Sequence, residues 1–415
     1  MAVVLAYTSP AIGHLFPFCA LLDELAARGH QIHVRTLDSG VKLCRSRGFV
    51  AQPVDPRLEL LQSADWTTGS ALRVADKTVD VLVRRAAFEV SDFNAAVDQV
   101  APHLILVDAN CWGAISAAET GRTPWLIFSP FIPYLQGPGS PPFGPGYTPG
   151  AGLVGLIRDA GVKSVTSTIF DRPFRNGLNP VRARLQLAPV RSADALLRRA
   201  PGVLVATGKP FEYRHTDWGE SVHLIGPANF EPPAPPPHWL DDIDRPLVLV
   251  TTSSVRQADA ALVHTAIRAL EGEDVHVVAT APAGTVHLEP GSHRHATLTE
   301  FVPHSAVLER AVVVVAHGGM GITQKALSRG IPVCAVPFGR DQFEVARRVE
   351  VARCGTRLPA RKLNARRLRE RVLSAMHMTE GARAVARGFA ETGGMAHGAD
   401  IVESHLSASS ARRSA

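Results

Sequence analysis

No run of apolar residues in this sequence approaches the roughly 20 that a membrane-spanning helix needs, so no helical membrane span is expected. Cysteine is scarce as well. The five present (Cys19, Cys44, Cys111, Cys334 and Cys354) are scattered, odd in number and without metal-site spacing. That argues against a disulfide framework or a zinc module and fits a reducing compartment. The N-terminal MAVVLAYTSP lacks a basic leader and a small-residue cleavage site. It is expected to be a first strand rather than a secretory signal, in a cytoplasmic protein. A net charge of +6 is modest for 415 residues. Arg366, Arg367, Arg369 and Arg371 alternate with Glu370 on an expected exposed helix, and no basic stripe with interleaved aromatics is visible, so nucleic acid is not an expected partner. TSPAIGH follows the first strand where a dinucleotide-binding dehydrogenase would carry Gly-x-Gly-x-x-Gly.

What the chain does contain is that of a globular α/β protein, with 46% hydrophobic and 20% charged residues and length enough for two or three domains. Short apolar runs at Val3–Tyr7, Ile32–Thr36, Leu104–Val107 and Trp125–Phe128 alternate with helical patterns near Leu15–Arg28 and Cys111–Thr120. That alternation predicts parallel sheets flanked by helices. A long helical pattern over Ala71–Val100 interrupts it. FSPFIPYLQGPGSPPFGPGYTPGAG follows, too rich in proline and glycine for regular structure. A loop of this length is usually functional, and its Phe131, Tyr134, Phe143 and Tyr147 suit the wall of an apolar cleft. PANFEPPAPPPHWLDDIDRP then reads as a stiff, extended linker. The alternation restarts with a strand at Leu247–Thr251, a helix at Ala258–Glu271 and a strand at Val275–Thr280. The expected domains are 1–226, a linker 227–246, a second domain 247–392, and a C-terminal helix with a flexible SASSARRSA tail over 393–415.

The most informative segment is FVPHSAVLERAVVVVAHGGMGITQKALSRGIPVCAVPFGRDQ, Phe301 to Gln342. A buried strand (Val312–Ala316) runs into His317-Gly318-Gly319, which opens a helix ending near Gly330, and a second strand (Pro332–Val336) precedes Asp341-Gln342. Glycines between a strand end and a helix N-terminus let an anion approach backbone N–H groups, where the helix dipole favours negative charge. In the first half, Gly13-His14 follows the first strand and Asp108 ends the strand LILVD. Parallel strands bring such ends to one rim, at the cleft between two α/β domains. An imidazole there, oriented by a carboxylate, makes a general base. The alternative for Asp108 is capping of the helix near Cys111, and Asp341 also suits an N-cap.

The Phe301–Gln342 segment resembles the sugar-donor signature of the UDP-glycosyltransferase family, nucleotide-sugar-dependent enzymes with two Rossmann-like domains facing a cleft (the GT-B fold). Its wording is closest to actinobacterial macrolide and drug glycosyltransferases. The resemblance extends to Gly13-His14, Asp108 and the Thr251-Thr252-Ser253-Ser254 turn. It implies that His14 deprotonates the acceptor hydroxyl with Asp108 behind it. It further implies that Phe301 and Val302 meet the nucleobase, while Ser254, His317, Gly319, Gly321, Ile322 and Thr323 surround the diphosphate. Asp341 and Gln342 would hold sugar hydroxyls, and Phe131, Tyr134, Phe143 and Tyr147 the acceptor. No metal or cofactor is implied; Asp242-Ile243-Asp244 lies in the linker and reads as solvated charge. The activity implied is inverting transfer of a hexose, foremost glucose from UDP-glucose, to a hydroxyl of a lipophilic polyketide, flavonoid or sterol. A dTDP-deoxysugar enzyme and a non-catalytic auxiliary homologue are the alternatives. Lys325 departs from the pattern, because the family carries there a Glu that accepts both ribose hydroxyls, and an ammonium accepts no hydrogen bond. It is expected to donate to the ribose or a phosphate, to accompany a deoxyribose, or to face a surface partner.

Overall fold

The computed structural model describes residues 1–61, 71–150, 152–253, 259–282 and 294–414. Strands β1 (Val3–Tyr7), β2 (Gln31–Thr36), β3 (Val50–Pro53), β4 (Leu104–Asp108), β5 (Trp125–Ser129), β6 (Val203–Val205) and β7 (Val222–Leu224) form a seven-stranded sheet in the order β3-β2-β1-β4-β5-β6-β7. Strands β8 (Leu247–Thr251), β9 (His276–Thr280), β10 (Ala296–Thr299), β11 (Ala311–Ala316), β12 (Val333–Ala335) and β13 (Gly355–Arg357) form a six-stranded sheet in the order β10-β9-β8-β11-β12-β13. Every pairing in both is parallel.

The strand sequences explain this arrangement. β4, β5 and β8 are buried at every position, as unbroken apolar runs must be when helices cover both sheet faces. Separate apolar clusters lie on the two faces of each sheet. In the first sheet the chain leaves β1 for β2 on one side and returns to β4 on the other. The loops after β1 and β4 therefore part, leaving a crevice at the C-terminal ends of the strands. β8 and β11 repeat that reversal in the second sheet. His14 and Asp108 sit at the first reversal, and His317 to Gly321 at the second.

The Ala71–Val100 pattern is a single helix, as expected, packed on helices Trp112–Thr120 and Arg172–Arg184. The segment 227–246 is not a free spacer. Ala228 and Phe230 join the core under the first sheet, whereas Leu240 and Ile243 join that of the second. The C-terminal segment also departs from expectation. Helix Gly394–Ser414 continues through the serine-rich stretch and lies on helix Ile12–Ala27 of the first sheet. Ala399, Ile401 and Val402 are buried there, and Arg28 pairs with Asp400 and Glu403 at 2.6 and 2.8 Å.

Candidate active site

β1 delivers His14 and β4 delivers Asp108 to the same rim. His14 stands in the first turn of helix Ile12–Ala27, with Nδ1 2.8 Å from Asp108 Oδ2. Asp108 is fully buried, and its Oδ1 accepts the Asn110 N–H at 2.8 Å. It does not cap the following helix, whose Gly113 N–H is taken instead by the buried Glu89. The carboxylate thus holds Nδ1 protonated and leaves Nε2 as the basic nitrogen. Burial by itself lowers the His14 pKa, but the charge and hydrogen bond of Asp108, with Asp341 adding to them, raise it overall. Asp341 heads helix Gln342–Val351 beside the second sheet, so charges from both halves act on this imidazole. Asp341 takes the N-cap position of helix Gln342–Val351, as expected, but its carboxylate makes no cap hydrogen bond there.

Aromatic rings lead away from His14. Its ring lies 5.5 Å from Phe131, Phe131 lies 5.4 Å from Tyr134, and Tyr134 lies 4.9 Å from Phe143. Tyr134 also meets Phe170 at 5.3 Å and Trp112 at 6.4 Å, and its hydroxyl donates to Asn110 Oδ1 at 3.1 Å. Phe170 and Trp112 were not legible in sequence as members of this ring cluster. Phe170 lies on a π-helical turn (Ser167–Asp171), a distortion that local spacing does not reveal. Tyr147 stands apart from these rings, under the Arg158 guanidinium at 5.3 Å.

On the facing side, Gly319 is the N-cap of helix Met320–Leu327. Both preceding glycines are needed. Gly318 has φ +86°, and a Cβ on Gly319 would lie 2.4 Å from His317 Nε2. Gly321, in the first turn of that helix, is exposed with open space beside it. Burial pushes the His317 pKa down to about 4, the Arg340 charge assisting and the Thr251 backbone opposing. His317 is therefore neutral at neutral pH, and its buried Nδ1 has no hydrogen-bond partner among the described residues. Thr323 Oγ1 is likewise buried without a partner, and the Ile322 side chain packs into the core. Phe301 is 56% exposed at the cleft margin, while Val302 is buried. Gln342 is buried, with Oε1 accepting the N–H groups of Phe338 and Gly339 at 2.9 and 3.1 Å. Ser254 lies outside the described residues.

Lys325 has a partner. Its Nζ donates to Glu231 Oε1 at 3.1 Å, and the same carboxylate accepts the N–H groups of His304 and Ser305 at 2.9 and 3.0 Å. Arg340 was missed in sequence. Its charge pulls the pKa of both His317 and Asp341 downward, against the burial that raises Asp341 overall. An arginine directly before Asp341-Gln342 was the available signal.

The profile described as "Erythromycin biosynthesis protein CIII-like, C-terminal domain" matches residues 262–396. The 4'-demethylrebeccamycin synthase of Lentzea aerocolonigenes is 29% identical over 393 residues, covering 90% of this chain and 92% of that enzyme. Over nearly its whole length the chain is homologous to the natural-product glycosyltransferases. Its fold is the family's GT-B fold. The glycosyltransferase of kitacinnamycin superposes with a TM-score of 0.73 at 22% identity, covering 98% of this chain and 99% of that one. The glycosyltransferase VinC, solved in complex with dTDP, gives 0.67 at 19% identity over 98% and 99%. Among the described residues of this glycosyltransferase, no helix is long and apolar enough to cross a membrane.

Proposed function

We propose that this glycosyltransferase inverts the anomeric centre and moves a hexose from a nucleoside diphosphate to a hydroxyl of an aromatic or polyketide natural product. The observation that carries the reading is the His14–Asp108 contact of 2.8 Å, with Asp341 acting on the same imidazole from the other sheet. In this mechanism His14 Nε2 takes the acceptor's hydroxyl proton as its oxygen forms a bond to the anomeric carbon. The bond from that carbon to the diphosphate breaks on the opposite face, so an α-linked sugar becomes a β-glycoside. Asp108 stabilises the imidazolium. Charge gathering on the diphosphate meets the N-terminus of helix Met320–Leu327, neutral His317 and Arg340. We read the reaction as metal-independent because these protein groups suffice to receive that charge. The Asp242 and Asp244 carboxylates are solvent-exposed before β8, at the end of the sheet away from the cleft. The rings of Phe131, Tyr134 and Phe143 support a flat, lipophilic acceptor.

UDP-glucose is the sugar donor that the sequence resemblance favours. The Lys325–Glu231 pair favours a second reading, a dTDP-sugar. Glu231 already accepts three hydrogen bonds, and Lys325 supplies no acceptor for a ribose diol. A deoxyribose, with one hydroxyl fewer, asks less of this site. Initial rates with UDP-glucose and dTDP-glucose across an acceptor panel, read by mass spectrometry, test both levels. A kcat/KM about tenfold higher for dTDP-glucose is expected; the reverse returns the assignment to UDP-glucose. Absence of any transfer by a folded chain that binds nucleotide leaves the auxiliary role in place of the catalytic one.

A further inference from the structure

Glu344 follows Asp341 by three residues on helix Gln342–Val351, and only 1% of it is exposed. Its Oε1 accepts the backbone N–H groups of Gly144 and Gly146, both at 2.9 Å. Its Oε2 accepts Arg348 Nη1 at 3.0 Å. Arg348 turns its remaining edge onto Glu212, with Nε and Nη2 at 2.8 and 3.0 Å from the two carboxylate oxygens, and stacks over Tyr213 at 4.3 Å. Arg347 Nε donates to Gly146 O at 2.7 Å. Gly146 itself has φ +62°, and a Cβ there would lie 2.2 Å from the Phe343 carbonyl oxygen. The Pro/Gly-rich loop is therefore seated directly on the helix whose first turn carries Asp341 and Gln342.

Two buried carboxylates share one guanidinium in this cluster, and the second charge is balanced by loop N–H groups. Charges are costly to bury, and packing alone is served as well by apolar residues. The specific gain is geometric, because a carboxylate that bridges two amide donors fixes the path of a segment rich in glycine and proline. We propose that Glu344 is a positioning residue for acceptor binding: it holds the loop bearing Phe131, Tyr134 and Phe143 in register with the sugar-binding helix. The inference rests on reading that loop as the acceptor wall.

The test compares Glu344→Ala, Glu344→Gln and Tyr134→Ala in the full chain, using dTDP-glucose and UDP-glucose with a polyhydroxylated flavone as acceptor probe. Acceptor binding is followed by quenching of intrinsic fluorescence and by KM, and donor hydrolysis without acceptor is measured in parallel. Glu344→Ala should weaken acceptor binding about tenfold while leaving donor hydrolysis within about twofold of wild type. Glu344→Gln, which keeps an acceptor oxygen for Gly144 and Gly146, should recover most of that loss. A purely structural role would lower donor hydrolysis and acceptor affinity together, without rescue by Gln, and would overturn the inference. If Tyr134→Ala weakens acceptor binding but Glu344→Ala does not, the wall reading stands and the Glu344 inference fails. If neither variant changes acceptor binding, the wall reading fails and takes this inference with it.

Discussion

At the scale of single residues, the proposed chemistry turns on how two opposing effects set the protonation of His14. Burial disfavours the imidazolium, and the carboxylate of Asp108 more than restores it. A general base works only when unprotonated, so kcat/KM should fall as pH drops through a pKa above the ordinary histidine value and level off at higher pH. Asp108→Asn removes the main raising effect and leaves burial opposed only by the smaller effect of Asp341. The acidic limb of the pH–rate profile should then move to lower pH while kcat drops, because the imidazole has lost its orienting partner. His14→Ala should cost about 10²–10⁴-fold in kcat/KM, and near-normal turnover would remove it as the base. His14, Asp108, His317 and Asp341 were legible in sequence because each sits at a strand end or helix start, where type and position together carry meaning. The Lys325 partner was not legible, since Glu231 is 94 residues away. Nor was the burial of the Thr323 hydroxyl, because which helical face meets the core is a property of packing.

At the scale of elements, the turn from β11 into helix Met320–Leu327 depends on the missing side chain of Gly319. A methyl group there would push His317 Nε2 from its place. Gly319→Ala should raise the KM for the sugar donor about tenfold or more, with acceptor binding by fluorescence quenching unchanged; an unchanged donor KM would place the diphosphate elsewhere. The long strands and the Ala71–Val100 helix were readable from continuous apolar runs and helical periodicity. β3, β6, β7 and β13 have three or four residues each, too few for a period to emerge, and several run into loops with no turn signal. The π-helical turn carrying Phe170 was invisible for a related reason, since it interrupts a helical pattern without altering its composition.

At the scale of the whole molecule, the chain closes on itself. After the second sheet, helix Gly394–Ser414 returns to cover helix Ile12–Ala27, with Gly398 close enough that a Cβ would lie 3.1 Å from both Leu21 and Ile225. Truncation after Gly393 strips Ala399, Ile401 and Val402 from the core under the first sheet. At about 1.5–3 kcal/mol for each buried aliphatic side chain, the first sheet's unfolding transition should shift to lower temperature by calorimetry. The second sheet's own clusters do not include these residues, so its transition should hold. By itself the sequence determined the two parallel sheets, the strand ends of the proposed site and the glycine turn before helix Met320–Leu327, because each is written in contiguous residues with a local pattern. The tertiary structure decided what joins them: Glu231 on Lys325, Glu344 beneath the aromatic loop, the last helix on the first, and the charge of Asp341 acting on His14. Those interactions link residues far apart in the chain, and a local sequence pattern carries no record of which distant segments the folded chain brings together.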